Sequence, residues 1–345
     1  MRIIHCADIH LGAKIDSFPR EISEKRKQEV RSSFLRMTEY ARDNAIRVII
    51  LAGDVFDRAR PLSKDTEFFA GVVESNPDID FLYLRGNHDT EGKALSYPNL
   101  KCFSDQWVCY EYENTAIQGI ELNEGNSLSM YSSFAAIPGK KNIAVLHGQI
   151  GAEINLTKLR DKGIDYLALG HIHEYSCGSL DLRGVYAYSG CLEGRGFDEC
   201  GDKGFIVIDT AEGLSHRFIP FSQHRIEKLM IDVSGLREGA AMARAVTDTH
   251  KLDRDGIYRV ELVGEVDIDT DSFASDVEGY LADRCGYISV KDRTRRRIDH
   301  SAFESDCSIR GEFVRAVMAS EHTEDEKARI IAYGLKALAG REVDQ

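Results

Sequence analysis

Short apolar runs rich in β-branched residues predict buried strands at Ile3–Ala7, Val48–Ala52, Phe81–Leu84, Ile143–Leu146 and Tyr166–Leu169. Between the first two, Val30, Phe34, Met37 and Ala41 repeat at helical spacing, which predicts a long amphipathic crossover helix. This strand–helix–strand rhythm predicts an α/β arrangement with helices packed on sheets. After His173 the pattern turns β-rich, and closing strands are expected at Val185–Ser189, Phe205–Ile208 and Arg217–Pro220.

The pattern changes near Phe221–Arg225. Beyond it Leu229, Ile231 and Val233 alternate with polar or longer residues, as do Tyr258, Val260 and Leu262. A helix carrying Phe273, Val277, Tyr280 and Leu281 then precedes a strand at Tyr287–Val290. This β-α-β-α-β run reads as a small second domain of α+β type. Two helices are expected to close the chain, near Arg310–Ala319 and Glu324–Ala339. One carries an apolar stripe of Phe313, Val314 and Val317, the other a stripe of Ala328, Ile331, Leu335 and Leu338. The expected division is therefore 1–222, 223–308 and 309–345.

With 345 residues the chain is long enough to bury a sizeable core. Its net charge of −13, spread evenly, argues against a strongly basic nucleic-acid binder. Carboxylates that hold divalent ions would have part of that charge returned locally. Arg58, Arg60 and the run Arg293–Arg297 are candidate positive patches, with solvated surface charge as the ordinary alternative. Eight cysteines without a C-x-x-C pair, behind no apolar leader, point to a reducing cytoplasm rather than a disulfide framework or zinc ribbon. No apolar run approaches the roughly 20 residues of a membrane span, so no membrane partner is expected.

Chemistry gathers where the apolar runs end. The first ends in Asp8-Ile9-His10, and alternate residues of an extended segment share a side, so both can reach one ion. The second ends in Gly53-Asp54-Val55-Phe56-Asp57, which alone reads as an ordinary strand-to-loop turn. The third ends in Gly86-Asn87-His88-Asp89, a dense polar cluster with little structural use. The fourth ends in His147-Gly148 and the fifth in Gly170-His171-Ile172-His173. Each histidine alone is more often structural than a ligand. Five successive strands ending in Asp, Asn or His would instead converge at one sheet edge, where α/β folds collect ligands. His5 faces the other way and Cys6 reads as strand packing.

In this order D-x-H, G-D-x-x-D, G-N-H-D, H-G and G-H-x-H resemble the calcineurin-like metallophosphoesterases over residues 1 to about 220. The resemblance implies two facing sheets flanked by helices, and a pair of divalent ions. It implies a first ion on Asp8, His10, Asp54 and His173, and a second on Asp54, Asn87, His147 and His171, with Asp54 shared. His88 then matches the histidine that acts at the scissile phosphate, and Asp89 is expected to orient its ring. Oxygen and imidazole ligands without thiolate suit manganese, with iron or zinc as alternatives.

The opening I-H-C-A-D-I-H-L-G, the extended G-D-V-F-D-R-A-R-P and the segment Tyr188–Phe205 resemble SbcD-type DNA repair nucleases and their shorter YhaO-like relatives. That implies a DNA exonuclease or endonuclease subunit with a capping domain, paired with an SMC-like ATPase of the SbcC/YhaN type. It also leaves room for a homodimer. The alternative is a phosphoesterase for a nucleotide, phosphoprotein or other small phosphodiester. A non-catalytic scaffold is disfavoured, since no expected ligand is substituted.

Overall fold

Val48–Ala52 is buried at every position, as a strand covered on both faces must be. A computed structural model of the chain describes residues 1–90, 95–266, 273–296, 303 and 305–338. Arg297 of the basic run and Ala339 of the expected last helix lie outside the described residues. The chain divides into two units, Met1–Glu227 and Lys228–Gln345.

The first unit begins with β1 (Arg2–Cys6), α1 (Arg20–Asp43), β2 (Val48–Ala52), α2 (Ser63–Glu74), β3 (Asp80–Leu84), β4 (Leu100–Cys102) and β5 (Val108–Glu111). It continues through β6 (Thr115–Gly119), α3 (Met130–Ser133), β7 (Lys141–His147), β8 (Tyr166–Gly170), β9 (Ser176–Ser179), β10 (Val185–Tyr188), β11 (Gly204–Asp209) and β12 (Ser215–Pro220). Two six-stranded mixed sheets result, ordered β12-β11-β1-β2-β3-β4 and β5-β6-β7-β8-β10-β9. In the first, β1, β2, β3 and β4 run parallel; in the second, β6, β7, β8 and β10 do.

Alternation along each strand sorts its side chains between layers. Ile3, Val48, Ile50 and Leu82 meet Ile117, Ile143, Val145 and Tyr166 between the sheets. On the other face of the first sheet, Ile4, Ile49 and Phe81 pack against Phe34, Met37 and Ala41 of α1 and Phe69 and Val73 of α2. The outer face of the second sheet is covered by Met130, Tyr131, Ile154 and Leu159. Polar ends therefore reach solvent only at the rims.

The expected convergence at one sheet edge is corrected here. Three of the five polar ends leave β1, β2 and β3 of one sheet, and two leave β7 and β8 of the other. The site therefore straddles the sandwich. The two layers come close there, since a Cβ on Gly170 would lie 2.0 Å from the Ala52 carbonyl oxygen.

In the second unit β13 (Ile226–Asp232), β14 (Ile257–Val263) and β16 (Tyr287–Asp292) form a sheet in that order. Met242 and Val246 of α4 (Gly239–Thr249) and Val277 and Leu281 of α5 (Phe273–Leu281) share its core. A minor pair joins β15 (Glu265–Val266) to β17 (Arg295–Arg296). The closing helices α6 (Ile309–Met318) and α7 (Glu324–Leu338) meet through Val314, Val317 and Ile331, in a cluster of their own. Among the described residues no helix is long and apolar enough to cross a membrane.

Candidate metal centre

The loops leaving β1 and β2 stay paired beyond the sheet: Asp8 N donates to Gly53 O at 3.0 Å, and His10 N to Asp54 O at 3.0 Å. Within them Asp8, His10 and Asp54 have left-handed backbones, with φ of 52°, 51° and 51°, and His171 has φ 100°. Left-handed backbone costs an L-residue roughly 1–2 kcal/mol. Such strain persists where neighbours over-determine it, and it clusters at functional sites.

The bends bring all seven expected ligands together. His10 Nε2 and His173 Nε2 face each other at 3.2 Å, with Asp8 Oδ1 3.9 Å from the latter. Ligand atoms of Asp8, His10 and His173 lie within 4.8 Å of one another, as do those of Asp8, Asp54 and His147. Asn87 Oδ1 sits 3.0 Å from both His147 Nε2 and His171 Nδ1. Asp54 Oδ2 lies between the clusters, 3.3 Å from His147 Nε2 and 3.9 Å from His10 Nε2. Its other oxygen accepts from the His88 amide at 2.9 Å. Asp8, His10, Asp54 and His147 form a buried floor, whereas Asn87 and His88 are exposed at the rim.

Second bonds set the ring nitrogens that face inward. His10 Nδ1 donates to Asp57 at 3.0 Å, His173 Nδ1 to Glu199 at 2.7 Å, and His147 Nδ1 to the Ala52 carbonyl at 2.9 Å. For His10 and His147 these partners only accept, so Nδ1 carries the proton and Nε2 is aimed at the centre; His173 Nδ1 also has Arg195 Nη2 at 3.1 Å, while its Nε2 faces His10. The donor set therefore fits a pair of divalent ions.

Charge in the floor is tightly coupled. Burial pushes the Asp8 carboxyl up to about 6. Burial also works against charge on His147, but the hydrogen bond to Asp54 and the charge of Asp8 outweigh it and raise the imidazole to about 9. At Asp54 the same pairing with His147 overcomes burial and holds the carboxyl down at about 2. His10 is lowered to about 4, chiefly by burial. In the absence of ions, the His147 imidazolium balances the carboxylates.

The family model of the calcineurin-like phosphoesterases matches residues 1–175. The chain belongs to this family. The phosphoesterase is 28% identical over 275 residues to the metallophosphoesterase YhaO of Bacillus subtilis, covering 72% of this chain and 67% of that protein. It is 23% identical over 367 residues to the DNA double-strand break repair protein Mre11 of Sulfolobus acidocaldarius, covering 96% of this chain and 94% of that protein. Against the SbcD component of the nuclease SbcCD of Rhodobacter capsulatus it is 31% identical over 93 residues, 26% of this chain and 22% of that protein. Membership implies a phosphoester hydrolase that uses divalent metal ions, on the two-sheet α/β fold described above.

One expectation is corrected in the phosphoesterase. Asp89 makes no bond to the His88 ring, whose Nδ1 instead donates to the Asp57 carbonyl at 3.2 Å. Asp89 is fully buried and accepts from Tyr83 Oη (2.7 Å), Gly86 N (2.6 Å), Val55 N (3.0 Å) and Phe56 N (3.4 Å). It braces the loops after β2 and β3 from below. His5, as expected, is structural: it bridges the sheets through Tyr166 Oη and the Leu169 carbonyl. Sequence reasoning assigned nothing to Asp57, Arg195 or Glu199. The second Asp of G-D-x-x-D and the Arg–Glu pair four apart inside Tyr188–Phe205 were the available signals.

Proposed function

We propose that the chain is a manganese-dependent two-ion phosphodiesterase that cuts DNA as the nuclease subunit of an assembly with an SMC-like ATPase. The observation that carries the DNA reading is the span of the likeness to a DNA double-strand break repair protein, 96% of this chain including the second unit. A phosphoesterase domain alone would account for only its first part.

In this reading Asp8, His10, Asp54 and His173 hold one ion, and Asp54, Asn87, His147 and His171 the other. A pair of ions there supplies charge neutralisation for the phosphodiester and activates the attacking water. The chain's own residues do the rest. Asp54 keeps the two clusters in register, one oxygen on the His88 amide and the other between the imidazoles. His88 stands exposed at the rim with Nδ1 taken by the Asp57 carbonyl, so Nε2 is the nitrogen free to exchange a proton with substrate. Mixed oxygen and nitrogen donors favour manganese. Residues 223–308 act as a cap, and the α6–α7 pair, with its own apolar cluster, docks the ATPase. DNA binding by so acidic a chain depends on local basic patches and weakens steeply with salt.

The test is hydrolysis by the purified chain in manganese, comparing duplex DNA, single-stranded DNA and bis-p-nitrophenyl phosphate. DNA cleavage that chelator abolishes is expected. Activity confined to the small ester would replace this reading with a nucleotide, phosphoprotein or small-phosphodiester substrate.

A further inference from the structure

The two imidazoles of the proposed first-ion site are tied together from behind. His10 and His173 point Nε2 at each other, and their Nδ1 atoms hydrogen-bond Asp57 and Glu199. One guanidinium grips both carboxylates. Arg195 Nη1 lies 3.3 Å from Asp57 Oδ1, Nε lies 3.1 Å from Glu199 Oε1, and Nη2 also bonds Glu199. The Arg195 amide closes the turn by donating to Glu199 Oε2 at 2.7 Å. The result is a ring of bonds, His10–Asp57–Arg195–Glu199–His173, whose gap lies between the two Nε2 atoms.

The second-ion histidines are held differently. His147 rests on the Ala52 backbone carbonyl, and the His171 ring meets Asn87. Neither bond involves the segment 190–203. That segment contains no helix or strand, yet most of it is buried, an unusual state for a long loop and one associated with function. Its other end is pinned to α1: Glu193 pairs with Arg26 at 3.0 Å and accepts from Ser33 at 2.6 Å. Lys203 Nζ then bonds the His173 carbonyl at 2.7 Å. Arg195 therefore stands on an anchored loop with its fork turned to Asp57 and Glu199, the only guanidinium linking the two carboxylates among the described residues.

We infer that Arg195 is a positioning residue for the first ion: its fork holds the two carboxylates that orient His10 and His173, and touches the His173 ring itself at Nδ1 (3.1 Å), so that this ion's affinity depends on it and the second ion's does not. The inference rests on the two-ion reading proposed above. A planar fork is required, because an ammonium cannot meet Asp57 and Glu199 together in one plane. Partners that orient metal-binding histidines typically contribute 10–100-fold to metal affinity.

The experiment is stepwise manganese binding to the full, metal-stripped chain, followed by calorimetry and by electron paramagnetic resonance, which separates isolated from paired ions. Arg195→Ala and Arg195→Lys are compared with wild type and with His10→Ala, which marks the first site. Both Arg195 variants are expected to bind one ion normally and the other about 10–100-fold more weakly. In the alanine variant, guanidinium ion at sub-denaturing concentration should recover part of that loss. Adding His10→Ala to Arg195→Ala should leave the remaining ion untouched. Normal binding of both ions, or equal weakening of both, overturns the inference and leaves Arg195 a loop anchor. Should Arg195→Ala fail to fold, Arg195→Lys, which keeps the charge and stem, decides by the same criterion. A wild-type chain that binds fewer than two ions would instead overturn the two-ion reading.

Discussion

Gly53→Ala adds one methyl group at a position outside the proposed ligand set, yet it should dislodge the second ion. Gly53 has φ +95°, and its Cβ would lie 2.0 Å from His147 Nδ1, 2.5 Å from Cγ and 2.9 Å from Cβ. Ordinary carbon contacts begin near 3.5 Å, so the ring must retreat by roughly 1.5 Å. That movement breaks the bond to the Ala52 carbonyl and takes Nε2 away from Asp54 and Asn87. The left-handed backbone costs about 1–2 kcal/mol and the forced repacking about 1–3 more, so stability should fall by about 2–5 kcal/mol. A displacement of about 1 Å in a reacting group can cost some 10²-fold in rate. Gly139→Ala is the control: φ is +79° but nothing lies within 4 Å of the added carbon, so it carries the backbone cost alone. Urea unfolding of both variants, with metal content measured alongside, separates the two contributions. A Gly53→Ala chain as stable as Gly139→Ala and still holding two ions would refute the steric argument.

Asp54→Asn should impair both ions, whereas His10→Ala should chiefly weaken one; elemental analysis that stays at one ion in wild-type protein saturated with manganese would sink the shared-carboxylate arrangement. His88→Gln should lose about 10²–10⁴-fold in rate while keeping its metals, and metal loss in that variant would make His88 a ligand. In metal-free protein His147 is raised from 6.5 to about 9. The stability it contributes is complete below about pH 6.5 and is lost as pH rises through about 9. Ion uptake displaces that proton, so apparent manganese affinity should climb across this window and level off above it; a flat profile by calorimetry contradicts the assignment. Ending the chain after Glu321 should leave metal binding and small-ester hydrolysis intact but abolish co-purification with the ATPase, and loss of a cooperative unfolding transition would return the helices to the fold's own core.

Strands covered on both faces were plain in the sequence, because continuous apolar runs ended abruptly in Asp, Asn or His. The same abruptness marked the seven polar side chains that the resemblance proposes as ligands and that the fold brings together. Two edge strands of the second sheet escaped notice: β5 and β9 pair on one side only, and Ser176–Ser179 contains no large apolar residue, whereas the edge strand β12 was expected at Arg217–Pro220. The division of polar ends between two sheets was hidden too, since parallel strands of either sheet share one apolar signature. Adjacency misled at Asp89, where neighbouring residues His88 and Asp89 serve opposite sides of the loop. Arg195 and Asp57 are 138 positions apart, and only the folded chain brings them together. Left-handed backbone at Asp8, His10 and Asp54 falls on residue types that adopt it more often than most, but the motif's own chemistry masks that signal in the sequence.

Because the proposed ligands come from the ends of β1, β2 and β3 of one sheet and β7 and β8 of the other, bound ions would also act as cross-links across the open edge of the sandwich. The edge they close is where the layers have exchanged apolar packing for charged side chains, and where hydrogen exchange should be fastest without metal. An ion at a hundred times its dissociation constant adds about 2.7 kcal/mol to the folded state. A melting temperature for this protein therefore belongs jointly to the chain and to the free ion concentration, and amides at the ends of β2 and β8 should report on both.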